Sequence, residues 1–383
     1  VEIDTAELDD LSLVCLEGCA LCCLCQAELV GDENRRFSEN PELKQGVSRE
    51  SIFGNKTNNL FLKLKNDSGS CFFLSERKCS IYSSRPLYCR LFPVHVHVGD
   101  RVQLVANLSC RGLNTRGDGT PGKVLSDTVL SLADLFDLRK LSGDMRNLYE
   151  GFRKHYLGGK IKPNRRDIQN FSVEFLRDFG YRKFIERSIT LASSEEKIPE
   201  NLGKMRNVLE GLIPGDITEA AIVGAMETFS GRKLTELPIW TNGDLRWMIA
   251  RIDDEDIVMN RLSDDGSLVP YRRIKVKDVG LRDFDENAGK IMTDYAAKLI
   301  RRDLTYGYAA YLIKLESLRA GRGKNIIRYF LGTIGTILLD HWWRTSLIAA
   351  ISGRDIINTD IAREGIIAYD MDYLDLPSLG GFI

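Results

Sequence analysis

The run Cys71-Phe-Phe-Leu-Ser-Glu-Arg-Lys-Cys79-Ser-Ile-Tyr-Ser-Ser-Arg-Pro-Leu-Tyr-Cys89-Arg-Leu-Phe-Pro93 sets three cysteines among aromatic residues and closes on Arg-Pro and Phe-Pro. Three thiolates seldom complete a metal shell, so the run reads as half of a site. Its partners lie close by in sequence. All nine cysteines fall between Cys15 and Cys110, and residues 111–383 hold none. The densest group is Cys15-Leu-Glu-Gly-Cys19-Ala-Leu-Cys22-Cys23-Leu-Cys25. For the two groups to meet, the chain from 26 to 70 must fold back on itself.

An odd number of thiols, two of them adjacent, suits a metal or cluster site better than a disulfide framework. A reducing, cytoplasmic compartment is therefore expected. The acidic start (Glu2, Asp4, Glu7, Asp9, Asp10) offers no basic leader. With a net charge of −1, there is no electrostatic case for nucleic acid or an anionic membrane. The most apolar stretch, Ile326 to Ile351, contains Arg328, Asp340, His341 and Arg344. Charges so near its middle make a membrane span costly and predict a buried helix instead.

Along the chain, residues 1–14 carry a Leu-spaced acidic pattern that predicts a short helix or an ordering arm, and the polar stretch 31–59 reads as a long loop. Leu60–Leu64 alternates as a strand, and Val94–Val105 predicts a hairpin turning at Gly99-Asp100. A turn cluster at Gly117–Gly122 leads into helical spacing over Val124–Leu141, continuing over 145–157, with a basic loop at 158–166. Helical spacing recurs over Ser172–Leu191, Asn201–Leu212, Thr218–Phe229, Phe284–Leu318 and Lys324–Ile351, and near Asp360–Ala368. Between 238 and 277 the period changes to that of strands and predicts a three-stranded antiparallel meander. The expected fold is α+β and mostly α-helical. A loop-rich cysteine-cluster domain (1–122) precedes a mainly helical domain (123–383) that carries the small meander.

Thiolates bind soft or borderline metals, and four of them close the shell of Zn(II) or of a cubane cluster. The triplet Cys19-x2-Cys22-x2-Cys25 repeats the short spacing with which ferredoxins wrap a [4Fe–4S] cube. Adjacent Cys22 and Cys23 diverge in most backbone conformations and would most easily serve different sites.

Taken together, Cys15, Cys19, Cys22-Cys23, Cys71-Phe-Phe-Leu, Cys79-Ser-Ile-Tyr, Arg85-Pro86, Cys89-Arg-Leu-Phe-Pro and Cys110 resemble the CxxCxxCC cysteine-cluster family. That family is described as zinc- or iron-chelating and is similar to the flagellin lysine N-methylases. The resemblance covers roughly the first third of the chain. It implies Cys15, Cys19, Cys22, Cys23, Cys71, Cys79, Cys89 and Cys110 as metal ligands. Two departures stand out: the first gap is Cys15-x3-Cys19, and Cys25 is additional, which leaves open whether Cys15 or Cys25 is the ligand. Eight thiols suit one or two four-thiolate sites, with [4Fe–4S] favoured and zinc the alternative. The functional expectation is an iron–sulfur protein acting in redox or protein-modification chemistry on a protein partner or substrate. An S-adenosylmethionine-dependent protein-lysine N-methyltransferase is one alternative; a zinc-stabilised, non-catalytic interaction protein is another.

Competing motifs are weaker. Cys15-x3-Cys19-x2-Cys22 also has the spacing of radical S-adenosylmethionine enzymes, but loops and helices follow it rather than parallel β/α units. Gly117–Lys123 approaches a phosphate-binding loop, yet Val124 stands where Ser or Thr would hold magnesium, so a turn opening a helix is expected. His95 and His97 share a strand face and would suit either an exposed face or a mixed Cys/His site. Asp340-His341-Trp342-Trp343-Arg344 predicts a core polar network. Arg85 and Arg90 flank Cys89 and could donate to its site. No nucleophile elbow or Rossmann-type glycine turn is present.

Overall fold

The computed structural model describes residues 3–23, 26–50, 58–65, 70–98, 101–134, 163–194, 198–199, 201–221, 223, 237–240, 247–253, 256–263, 268–319 and 325–374. The expected helical spacing at 145–157, most of the basic loop at 158–166 and the end of the segment Thr218–Phe229 lie outside these residues.

The chain begins with two short strands, β1 (Ile3–Asp4) and β2 (Ser12–Leu13), where a helix or arm was the expectation. Each is captured by a later strand, a long-range pairing that local spacing does not encode. Where a long loop was expected, the chain forms α1 (Glu33–Glu39), α2 (Pro41–Lys44) and β3 (Val47–Ser48). These helices are almost wholly polar outside Phe37 and Leu43, so they carry little periodic signal. Asn40 caps α2, its side chain accepting from the N–H groups of Glu42 (2.9 Å) and Leu43 (3.2 Å). Next come β4 (Phe61–Leu62), the hairpin β5 (Leu74–Ser75) with β6 (Lys78–Cys79), and α3 (Leu87–Leu91).

The hairpin expected over 94–105 is β7 (Val94–Val98) against β8 (Val102–Ala106), in the register Val94↔Ala106 and His97↔Gln103. β1 joins β8 in parallel. A second small sheet has the order β10-β2-β9, formed by β9 (Leu113–Asn114) and β10 (Thr120–Pro121) on either side of β2. α4 (Gly122–Asp134) follows directly, so the glycine-rich turn does open a helix. Gly122 is needed for close approach, because a Cβ there would lie 1.8 Å from Leu8 O, a backbone atom. Gly122→Ala is expected to cost about 1–3 kcal/mol in denaturant unfolding, while Lys123→Ala at the exposed neighbour stays within about 0.5 kcal/mol.

The helical body contains α5 (Arg165–Ser193), α6 (Leu202–Gly211), α7 (Glu286–Arg301), α8 (Asp303–Arg319), α9 (Ile326–Ile351) and α10 (Thr359–Tyr373). Asn164, Asn201, Asp285 and Asn325 cap four of them. α5 breaks at Gly180, whose φ of 77° is left-handed and suits a residue without Cβ. The meander has four strands rather than three: β11 (Leu237–Trp240), β12 (Trp247–Asp253), β13 (Asp256–Leu262) and β14 (Leu268–Lys275), all antiparallel. The extra strand is an edge carrying Pro238, which hides it from a reading that counts proline against strands.

α9 is the spine of the main core, buried nearly end to end between α5, α8 and α10. Among the described residues no helix is long and apolar enough to cross a membrane. Several polar side chains of α9 have close partners within the helix and beyond it. Arg344 donates to both carboxylate oxygens of Asp340 (2.9 and 3.0 Å), and the indoles of Trp342 and Trp343 donate to Arg282 O (2.8 Å) and Val279 O (3.2 Å). His341 is fully buried, with Nδ1 2.8 Å from the Tyr181 hydroxyl and the rings of Tyr295 and Tyr369 packed alongside.

Burial pushes the His341 imidazole down to about 3, with Arg344 adding to the effect. The unfolded chain takes up that proton near pH 6.5, the folded chain only near 3. The stabilisation is therefore complete above about 6.5 and is lost as pH falls from there toward 3. A His341→Asn variant, unable to take the proton, is expected to lose less of its thermal midpoint between pH 7 and 4.5 than the parent chain.

The cysteine-bearing part is joined to the helical body through buried charge. Arg302, at the α7–α8 junction, is fully buried and donates to Glu7 (2.7 and 3.1 Å), Asp370 (2.5 Å) and Ala106 O (2.9 Å). Asp370, also fully buried, accepts from Tyr295 Oη (2.8 Å) and from the Leu108 N–H (2.6 Å). Beside it, Asp303 receives Arg101 (2.7 Å) and Arg165 (3.0 Å).

Candidate metal centre

The first cysteine group is folded tightly by left-handed residues at Gly18 (φ 70°) and Ala20 (φ 56°). The Cys19 N–H donates to Leu16 O (3.1 Å) and that of Cys23 to Ala20 O (3.0 Å), closing a short 3-10 turn at Leu21–Cys23. This turn is then pinned to the second group, because the Cys71 N–H donates to Cys23 O at 2.6 Å. The return of the chain toward the first group is also fastened by backbone bonds from Leu29 N–H to Leu60 O (2.8 Å) and from Leu62 N–H to Ala27 O (2.9 Å).

Each cysteine of the second group is set by its own local device. Cys71 forms a bridge with Leu64 and packs with Phe37 and Phe73 in a small core. Cys79 ends a hairpin whose turn residues, Glu76 and Arg77, are both left-handed (φ 49° and 60°), as a two-residue primed turn requires. Cys89 lies in α3, which starts directly after Arg85-Pro86. The first donor of that helix, the Leu87 N–H, is accepted by the buried Glu33 carboxylate at 2.8 Å, which ties α1 to α3. Cys110 follows an Asn107 turn, its N–H donating to Asn107 O (3.1 Å).

Eight of the nine predicted ligands are described, all as free thiols; Cys25 lies outside the described residues. Cys22, Cys23, Cys71, Cys79 and Cys89 come together as one interacting group. The Cys23 thiol bonds to both Cys22 and Cys79, so the adjacent pair Cys22-Cys23 faces one group instead of being turned apart. Cys110 and Cys19 stand beside this group, interacting with each other and with Cys22. Cys15 is exposed at the rim and acts on Cys19. Among the described residues no three Cys, His, Asp or Glu side chains already form a coordination-ready set. The thiols are gathered, but not closed into a shell.

The electrostatics are those of crowded sulfur, with most thiols raised and two lowered. Burial pushes Cys71 up to about 11 and Cys110 up to about 12, and raises Cys89 and Cys19 as well. Cys23 holds its proton strongly because it donates to Cys22 and Cys79. Receiving that bond, with help from Arg85, brings Cys79 down to about 6 and also lowers Cys22. Arg85 is fixed in place, its guanidinium 3.7 Å from the Tyr82 ring centre and its Nε donating to Tyr82 O (3.1 Å). Arg90 instead approaches Glu33 (4.0 Å). His95 contacts Asn107 (3.4 Å) and lies near Asp370 and Arg302 of the helical body.

The donor set is all sulfur, which fits zinc or iron–sulfur chemistry. A second observation agrees. The hydroxyls of Ser70 and Ser109 are buried and have no partner among the described residues, and each residue immediately precedes a cysteine of the assembly, Cys71 and Cys110. A buried hydroxyl without an acceptor costs about 1–3 kcal/mol, and metal-bound sulfur is an acceptor. Sequence reasoning missed both serines, although the repeated Ser-Cys pair was a visible signal. It also missed Glu33 and the Arg111–Glu364 ion pair, which depend on contacts between distant segments.

A cysteine-bearing segment of short strands and turns, docked on a helical body, is therefore the class defined by fold and site. Residues 14–111 match the model of the CxxCxxCC family, described as a "Putative zinc- or iron-chelating domain"; the match stops before the helical body. No curated protein and no solved structure matches the chain.

Proposed function

We propose that the N-terminal part holds an iron–sulfur cluster of the [4Fe–4S] type in a reducing compartment, and that the helical body presents it to a protein partner or substrate for redox or modification chemistry. The observation that carries this reading is the gathering of Cys22, Cys23, Cys71, Cys79 and Cys89 from separate segments, with Cys19 and Cys110 alongside. That is more sulfur than one closed zinc shell uses. Ligands are drawn from these seven, with Cys15 at the rim and Cys25 completing the set by sequence. When bound, such a cluster supplies one-electron transfer or a Lewis-acidic iron.

The surrounding residues support that load. Arg85 offsets thiolate charge at Cys22, Cys79 and Cys89, and Ser70 and Ser109 offer hydroxyl donors beside Cys71 and Cys110. Ligand thiols must lose protons, so metal uptake strengthens as pH rises. Phe72 and Tyr82, both exposed within the second cysteine group, offer apolar contacts for a protein. Anaerobic purification followed by absorption spectroscopy tests the reading: a brown protein that bleaches on reduction is expected, and a colourless protein with stoichiometric zinc would replace the cluster with a structural metal.

A further inference from the structure

Residues 106–112 are bound on two sides. On one side, Ala106 O accepts from Arg302 (2.9 Å), the Leu108 N–H donates to Asp370 of α10 (2.6 Å), and Arg111 pairs with Glu364 of α10. On the other, Cys110 joins the thiol assembly, Arg111 exerts its charge on Cys19, and Gly112 O accepts from the Val14 N–H (2.9 Å) next to Cys15. The segment is stiffened internally, since the Asn107 side chain accepts from the Ser109 N–H (3.0 Å) and Asn107 O accepts from the Cys110 N–H. Arg111 and Glu364 are both mostly buried, so their pairing is not a loose surface contact.

We infer that α10 is a working part of the metal site: Arg111 and Glu364 are positioning residues that hold Cys110 and Cys19, and metal occupancy in turn tightens α10 on the N-terminal part. This rests on the metal reading above. Glu364 lies far beyond the segment that matches the family model, so the site's support extends outside it. The coupling is reciprocal by thermodynamic linkage: if α10 improves metal affinity, metal must improve the seating of α10.

The test uses the full chain with whichever it retains, Zn(II) or iron with sulfide. Arg111→Gln and Glu364→Gln are each expected to weaken metal retention roughly tenfold in a chelator competition, as loss of residues that orient ligands does. The exchanged pair Arg111→Glu with Glu364→Arg should recover most of that loss, and Arg363→Gln at the exposed neighbour should leave retention unchanged. By hydrogen exchange on the unmodified chain, amides of α10 should be better protected with metal than without, a readout that survives even if a variant fails to fold. Retention within twofold in both single variants, or identical α10 exchange in a chain that does bind metal, overturns the inference alone. A chain that takes up no metal overturns the metal reading together with it.

Discussion

Arg302→Met is expected to remove about 3–5 kcal/mol of stability, among the largest losses any single side-chain change in this chain can cause. The guanidinium has no exposed surface, and one of its carboxylate partners, Asp370, has none either. Methionine fills much of the volume but leaves Asp370 charged in a buried site, with only the Tyr295 hydroxyl and the Leu108 N–H to stabilise it. Glu7 loses its partner at the same time, which frees the segment that leads to β2. Denaturant unfolding should show the loss, and adding Asp370→Asn to the variant should recover part of it by removing the stranded charge. Arg301→Met, one residue away and exposed, should stay within about 0.5 kcal/mol. A loss below about 1 kcal/mol for Arg302→Met would show that the ion pair does not join the two parts as described.

Cys71→Ser is expected to abolish stoichiometric metal binding, while the helical body remains folded. Cys71 is the most buried of the described thiols and is bonded through its backbone to Cys23, so its loss opens the centre of the group. Metal binding by closed thiolate sites supplies on the order of 10 kcal/mol, which makes the N-terminal part the region that should loosen. The core around α9 draws almost all its side chains from residues 168–374, so far-UV helicity should persist. Cys15→Ser, at the exposed rim, is expected to retain most of its metal. Equal retention in both variants would mean that burial does not rank the ligands.

Much of this was legible in the sequence wherever a residue's role is local. The β7–β8 hairpin, the helix expected over Asn201–Leu212, the buried character of Ile326–Ile351 and the gathering of the two cysteine groups all follow from spacing and chemistry within short windows. What escaped depends on partners distant in the chain. β1 and β2 exist because β8, β9 and β10 pair with them. α1 and α2 fold against Phe73 and α3 with too few apolar residues to announce themselves. The turn that aims Cys79 uses Glu76-Arg77 in place of the Asn-Gly that would mark it. Cys22 and Cys23 share a group because a 3-10 turn and Cys79 bring their thiols together, which adjacency alone does not reveal.

The gathered thiols are proposed to hold iron and sulfide. Determination of iron, zinc and acid-labile sulfide per chain, on protein purified without oxygen, addresses it most directly. About four irons and four sulfides per chain, or about eight of each for two clusters, is the predicted result. Zinc in whole-number ratio without sulfide, or no metal at all, would contradict it.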